Sequence, residues 1–108
     1  MAKSTIQVSD VSEAVPVTDG VDVAISDSAV ALTDEVALHA SATEVHVHFT
    51  GSGDVRVRCD GNDPVGGSSG ALWFQGGILK VNRVTAGQVN LIRDGAVDGS
   101  IYVEQFSR

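Results

Sequence analysis

Residues 44–61, EVHVHFTGSGDVRVRCDG, carry the clearest structural pattern in the chain. Polar and apolar residues alternate on both sides of a Gly-Ser-Gly turn. A period of two is typical of a β-strand whose two faces meet different environments. The stretch therefore predicts two strands, 44–50 and 54–60, paired as an antiparallel hairpin through the turn at 51–53.

This hairpin is expected to have one polar and one apolar face. On the polar face, His48 should lie opposite Arg56, and His46 opposite Arg58. The apolar face carries Val45, Val47, Phe49, Val55, Val57 and Cys59. Cys59 is the only cysteine, which excludes an internal disulfide, and its position predicts a buried and inert thiol.

The polar face of the hairpin has three interpretations. A zinc site would use His46 and His48, whose imidazoles point the same way, but it needs further ligands. Acids at the ends of the hairpin are available, yet Arg56 and Arg58 directly across would repel a cation. The face is then either a solvated surface or a contact surface for an acidic partner subunit. These four residues are interface candidates, and no metal or other cofactor is expected.

The rest of the chain repeats the same period. Further strands are predicted at 21–25, 29–33, 71–75, 78–84, 88–93 and 100–106, and residues 36–40 fit a strand or a short helical turn. Residues 61–70 contain four glycines and predict a long exposed loop. Short strands about ten residues apart predict an all-β fold, an antiparallel β-sandwich or a jelly-roll-like barrel. It should span 21–108, preceded at 1–20 by an N-terminal arm or irregular segment in which residues 6–8 fit a short strand.

Charge excludes several classes of partner. The formal net charge is −7, and residues 1–54 hold nine acids and one base, whereas residues 55–108 hold five acids and six bases. An acidic chain without a basic patch argues against nucleic acid and against an anionic membrane surface. The first ten residues do not form a secretory signal, and no stretch approaches the ~20 apolar residues of a membrane helix. We therefore expect a soluble protein made in a cytoplasm.

No motif in the chain predicts catalysis. The glycine-rich run at 66–70 lacks the lysine and helix of a phosphate loop. Residues 60–63, DGND, lack the further ligands of a calcium loop and predict an Asx-type turn instead. No serine occupies a strand-to-helix elbow, and the acids are scattered through turns rather than paired across a cleft. We expect a protein that is not an enzyme.

Adjacent aromatic residues on one predicted strand offer a further candidate site. Trp73 and Phe74 must point to opposite faces, so one should enter the core and the other should be exposed or buried between subunits. Trp73 is taken as an interface candidate. Stacking on a sugar ring is the alternative, although carbohydrate-binding modules usually present two or three aromatic residues in a row.

The C-terminal half resembles a known class of proteins. Residues 51–77, GSGDVRVRCDGNDPVGGSSGALWFQGG, and 89–106, VNLIRDGAVDGSIYVEQF, resemble small β-sandwich structural proteins of tailed bacteriophages. These include capsid decoration (cement) proteins and tail or head-fibre accessory proteins. The quoted motifs are turn-and-strand patterns without a catalytic anchor, so no functional residue is transferred.

The resemblance implies a non-enzymatic virion component made in the host cytoplasm. It implies a decoration protein that binds the outer shell, with the major capsid protein or another virion protein as partner and a trimer or dimer as the oligomer. A tail, neck or head-fibre accessory protein is one alternative. A carbohydrate-binding β-sandwich module, suggested by Trp73 and the loop at 61–70, is another.

Overall fold

The computed structural model describes residues 14–108, which form nine strands and two single-turn helices. The elements are β1 (Val15–Pro16), β2 (Val21–Ile25), β3 (Val30–Ala31), α1 (Leu32–Glu35), β4 (Glu44–Phe49), β5 (Asp54–Arg58), β6 (Ala71–Trp73), β7 (Ile78–Asn82), α2 (Arg83–Ala86), β8 (Asn90–Asp94) and β9 (Gly99–Ser107). The strand predicted at 6–8 lies outside the described residues. The all-β prediction is confirmed.

The strands form two antiparallel sheets with jelly-roll order. In the first sheet β9 pairs with β1 and β2 on one side and with β4 on the other, and β4 pairs with β7. The second sheet has the order β3-β8-β5-β6. The chain thus pairs like one long hairpin: β2 pairs with β9, β3 with β8, β4 with β7 and β5 with β6. Successive pairs belong alternately to the first and the second sheet. This is the topology of a jelly roll.

The core fills the space between the two sheets. Fully buried aliphatic side chains from the first sheet face those of the second: Ile25, Val45, Val47, Ile101 and Val103 against Val55 and Leu91. Leu32 of α1 and Ala86 of α2 close the ends of this core. In β4 and β5, buried apolar residues alternate strictly with partly exposed polar ones, as in sheets covered on one face.

The predicted hairpin between 44–50 and 54–60 is wrong in its pairing, although both strands exist. β4 pairs with β7 and β9, whereas β5 pairs with β6 and β8, so residues 50–53 cross from one sheet to the other. The amides of Thr50 and Gly51 both donate to the carbonyl of Ser100, which holds the crossing segment on β9. At Gly53 a Cβ atom would lie 2.4 Å from two carbonyl oxygens of residues 97–98, so only glycine allows this close approach.

Three local predictions also need correction. Cys59 is exposed rather than buried, because β5 ends at Arg58 and the alternation stops there. The segment 29–33 is a strand only at Val30–Ala31 and then turns into α1. Residues 36–40 form neither strand nor helix. The buried side chain of Gln105 bonds the amide of His39 at 2.7 Å and the carbonyl of Ala37 at 3.0 Å, in place of a strand partner.

Candidate functional site

The four polar interface candidates of 44–61 lie on two different surfaces. His46 and His48 project from β4 onto the outer face of the first sheet, and Arg56 and Arg58 project from β5 onto the outer face of the second. His46 lies between Lys80 and Glu104 of the neighbouring strands, and His48 lies between Ile78 and Tyr102. The structure therefore brings each pair together but separates the histidines from the arginines by the thickness of the sandwich.

Both histidines contact carboxylates on their own face. Nε2 of His46 lies 2.6 Å from Oε2 of Glu44, and Nε2 of His48 lies 2.6 Å from Oε1 of Glu104 on β9. The first pair is nearly buried, with 13% and 15% of the two side chains exposed. The second pair is about one-third exposed and links β4 to β9.

Glu44 is the centre of a small ionic network at one end of this face. Nε of Arg108 donates to Oε1 of Glu44 at 2.6 Å, and Nη2 lies 3.3 Å from Oε2. The hydrogen bond from Arg108, followed by that from His46, lowers the pKa of Glu44 from 4.5 to about 2. The backbone amide of Arg108 also donates to the hydroxyl of Thr43. The last described residue is thus held against the start of β4.

Aromatic rings cover the rest of the histidine surface. The ring of His46 lies 4.4 Å from that of Phe106, and the ring of His48 lies 6.0 Å from that of Tyr102, measured between centroids. Tyr102 itself lies over Gly20, where a Cβ atom would come within 1.9 Å of its ring. These contacts hold both imidazoles in a packed polar layer. Within residues 14–108 no group of three or more His, Cys, Asp or Glu side chains is placed to hold a metal ion.

The arginine face is also paired internally. Arg56 donates from Nε to Oδ1 of Asp94 at 3.0 Å and from Nη1 to the carbonyl of Gly70 at 3.1 Å. Asp94 accepts a further bond from the amide of Gly67 at 2.6 Å, and the bond from Arg56 is the main reason that its pKa is lowered. Arg56 thereby joins β5 to β8 and to the loop at 61–70.

Arg58 is engaged more locally. Its guanidinium donates twice to the carboxylate of Asp60, which lowers the pKa of that carboxyl group. Asp60 also accepts from the amide of Asn62 at 3.1 Å, which is the Asx-type turn predicted for residues 60–63.

The loop at 61–70 is exposed over most of its length but is tied down at several points. Pro64 is buried, and Val65 pairs with Ser69 across a tight turn. An open groove runs beside the loop, lined by Asp27, Val65, Gly66, Gly67, Ile92, Arg93 and Gly95. Arg93 is held there by Asp98, whose Oδ1 accepts from Nη1 at 2.5 Å.

The aromatic pair at 73–74 divides between core and surface. Val55, which is buried, lies opposite Trp73 in the second sheet, so Trp73 points inward. It stacks on Phe49 with 5.0 Å between centroids and 15° between the ring planes. Phe74 is the exposed member, at 57%. The sequence showed that the two must separate, but only the pairing of β5 with β6 tells which one enters the core.

Sequence reasoning missed an apolar surface beside Phe74. Ile78, at the start of β7, is 45% exposed. The two residues flank a tight turn in which the amide of Gly77 donates to the carbonyl of Phe74 at 3.0 Å, and Gly76 has a φ of +94°. We call Phe74 and Ile78 the edge patch, because they lie where the edge strands β6 and β7 of the two sheets are connected.

Comparison with known proteins adds no relationship. No protein-family model, curated protein or solved structure matches this chain significantly. Among the described residues, no helix has the length and apolar character needed to span a membrane.

Proposed function

We propose that this chain is a non-enzymatic structural component of a bacteriophage virion, and that it acts as a capsid decoration protein on the outer shell. The resemblance of its C-terminal half to small phage sandwich proteins motivates the proposal. The jelly-roll topology supports it by analogy, since viral shell proteins are one group that uses this fold. Fold alone does not determine function, so the proposal depends on a surface.

The observation that carries the proposal is the edge patch. On the two outer faces, His46, His48, Arg56 and Arg58 all have partners within the chain. Phe74 and Ile78 instead present apolar area to solvent on either side of a hydrogen-bonded turn. A fixed aromatic residue with an aliphatic neighbour is the kind of anchor that contributes most to protein interfaces. The edge patch would therefore contact the major capsid protein or another virion protein.

Co-sedimentation tests this proposal directly. Capsid shells are assembled from the capsid protein encoded in the same genome as this chain. They are incubated with the purified protein and pelleted through sucrose. Wild-type protein should pellet with the shells, and Phe74→Ser should lose at least about tenfold in affinity, as anchor residues do. Val84→Ser is the matched control, because Val84 is 80% exposed on α2 and outside the edge patch. Absence of wild-type protein from the pellet would reject the decoration role, and an equal effect of the two substitutions would reject the edge patch as the contact. Purified tails tested in the same way address the tail, neck or fibre alternative.

A carbohydrate-binding module is the second candidate. Phe74 offers an exposed ring beside an aliphatic residue, and lectin domains also use jelly rolls. Trp73 no longer fits the stacking residue, because it lies against Phe49. Glycan-array binding that disappears in Phe74→Ala would support this function. An array without signal at millimolar sugar would remove it.

A further inference from the structure

Within residues 14–108 the first sheet has two edges without a further strand, and they differ in charge. One edge is β7, and the other consists of β2 and the two-residue strand β1, which both pair with β9. We call them the β7 edge and the β2 edge. Among the described residues, β7 is hydrogen-bonded only to β4, and β2 only to β9.

The β7 edge presents its unpaired backbone groups at residues 78, 80 and 82. Hydrogen bonds join Phe49 to Gly77 and Thr43 to Arg83 at the two ends of the β4–β7 ladder. Bonded pairs alternate in an antiparallel ladder, so the odd-numbered residues of β7 bond to β4. The N–H and C=O groups of the even-numbered residues therefore point away from the sheet.

The β2 edge presents its unpaired groups at residues 22 and 24. The amide of Thr50 bonds Ser100, so the even-numbered residues of β9 face β4 and the odd-numbered ones face β2. In the β2–β9 register the odd-numbered residues of β9 lie opposite Val21, Val23 and Ile25. The N–H and C=O groups of Asp22 and Ala24 are consequently directed outward.

Charge distinguishes the two edges. Residues 14–108 contain six lysines and arginines, and four of them pair with a carboxylate: Arg56, Arg58, Arg93 and Arg108. Arg83 donates instead to the carbonyls of His39 and Ala42. Lys80, in the middle of the β7 edge, has no hydrogen bond or ion pair with any described residue. Asp22, in the middle of the β2 edge, has none either, and both side chains are exposed.

We propose that the β2 edge of one copy pairs with the β7 edge of a second copy, which continues the first sheet from subunit to subunit. With Asp22 opposite Lys80, the outward-directed backbone groups of residues 22 and 24 meet those of residues 80 and 78 in bonded positions. Ala24 then faces Ile78 on the outer side, because Asp22, Tyr102, His48 and Ile78 form one row across that face. On the inner side Val21 and Val23 meet Val81 and Leu79.

Pairing of like edges is disfavoured by the same geometry. Two β7 edges centred on each other would place Lys80 opposite Lys80, and two β2 edges would place Asp22 opposite Asp22. Like charges directly opposite in a sheet are destabilising, whereas opposite charges stabilise the pair. The association is therefore head-to-tail, and it yields a ring or an open chain rather than a two-fold dimer. It goes beyond the proposed function, since it requires no shell.

Charge exchange across the interface tests the inference. Sedimentation velocity of the isolated protein between micromolar and millimolar concentration should show reversible self-association, weakened by high salt. Asp22→Lys and Lys80→Asp should each weaken it by at least about tenfold. The double variant, and an equimolar mixture of the two single variants, should recover it. Asp34→Lys, an equal charge change at an exposed position on α1, is the control.

Two outcomes would overturn the inference. One is a wild-type protein that stays monomeric over the whole range. The other is self-association that the single variants leave unchanged, or that the double variant fails to restore while its circular-dichroism spectrum remains wild-type. Shell binding by a strictly monomeric protein would reject this interface and leave the proposed function intact. Head-to-tail assembly without shell binding would support this interface and reject the proposed function.

Discussion

Replacement of Glu44 by Gln offers the sharpest test of how the outer face of the first sheet is held together. The substitution keeps the size of the side chain and removes the charge that Arg108 and His46 contact. The pKa of Glu44 is lowered from 4.5 to about 2 by those two partners. Folding therefore stabilises the ionised form of this carboxyl group.

The magnitude follows from the size of that shift. A pKa lowered from 4.5 to about 2 corresponds to about 3 kcal/mol of differential stabilisation before solvent screening is considered. Arg108 has 53% of its side chain exposed, so solvent screens part of this interaction. We expect Glu44→Gln to lower the free energy of unfolding at pH 7 by about 1–2 kcal/mol.

The pH dependence has a defined sign. Because the pKa of Glu44 is depressed in the folded state, its contribution is fully present above pH 4.5 and is lost as the pH falls through about 2. Urea unfolding of wild type and variant should therefore differ most at neutral pH, and the two should converge between pH 4.5 and 2. The difference between them isolates Glu44 from other acids, such as Asp60 and Asp94, whose pKa values are also lowered.

Glu35→Gln serves as the control, because Glu35 is an exposed acid on α1. It should change stability by less than about 0.5 kcal/mol. If Glu44→Gln were as stable as wild type at pH 7, the network would contribute nothing. If its deficit persisted unchanged at pH 2.5, the loss would come from packing and the electrostatic explanation would be wrong.

Four further predictions address the core, the second sheet, the crossing segment and the thiol. Val57→Asp places a charge between the sheets and should cost about 3–5 kcal/mol in urea unfolding. Arg56→Ala should cost about 1–2 kcal/mol at pH 7, since it removes bonds to both β8 and the loop; a smaller loss would mean that this pair is only superficial. Gly53→Ala should lower the melting temperature, because its Cβ atom meets backbone oxygens at 2.4 Å, and an unchanged value would contradict the close crossing. Cys59 should react with a maleimide in the folded protein, and faster as pH rises, because the thiolate is the reactive form and partial desolvation together with Asp60 raises the pKa of this exposed thiol; a folded protein that resists labelling would place the thiol inside.

Alternation in the sequence predicts which face a residue takes but not which strand it meets. Val45, Val47, Val55 and Val57 are buried as their period requires. That burial is satisfied equally when two apolar faces lie side by side in a hairpin and when they oppose each other across a sandwich. The choice between these arrangements depends on β9, which lies about fifty residues further along the chain and supplies the partners of β4. Local pattern carries no information about such a distant pairing.

For the candidate site too, the sequence predicts the face on which a side chain lies but not its neighbours. The spacing of His46 and His48 predicts that their side chains share one face of a strand. The spacing of Arg56 and Arg58 predicts the same for the two arginines. Their mutual separation, the exposure of Phe74 and the exposure of Cys59 were not. Each of these depends on where a strand ends or which strand lies beside it. The edge patch and the two sheet edges depend on the order of strands in the sheets, so no short sequence motif predicts them.

The position of β9 also has a consequence for synthesis. The last strand of the chain lies in the middle of the first sheet, between β2 and β4. While the ribosome still holds residues 99–107, β2 has no strand partner and β4 lacks one of its two partners. Folding of the first sheet therefore waits until residues 99–107 have emerged from the ribosome, and its rate should be set by long-range pairing rather than by local turns. Chains stalled before Gly99 should be protease-sensitive along most of their length.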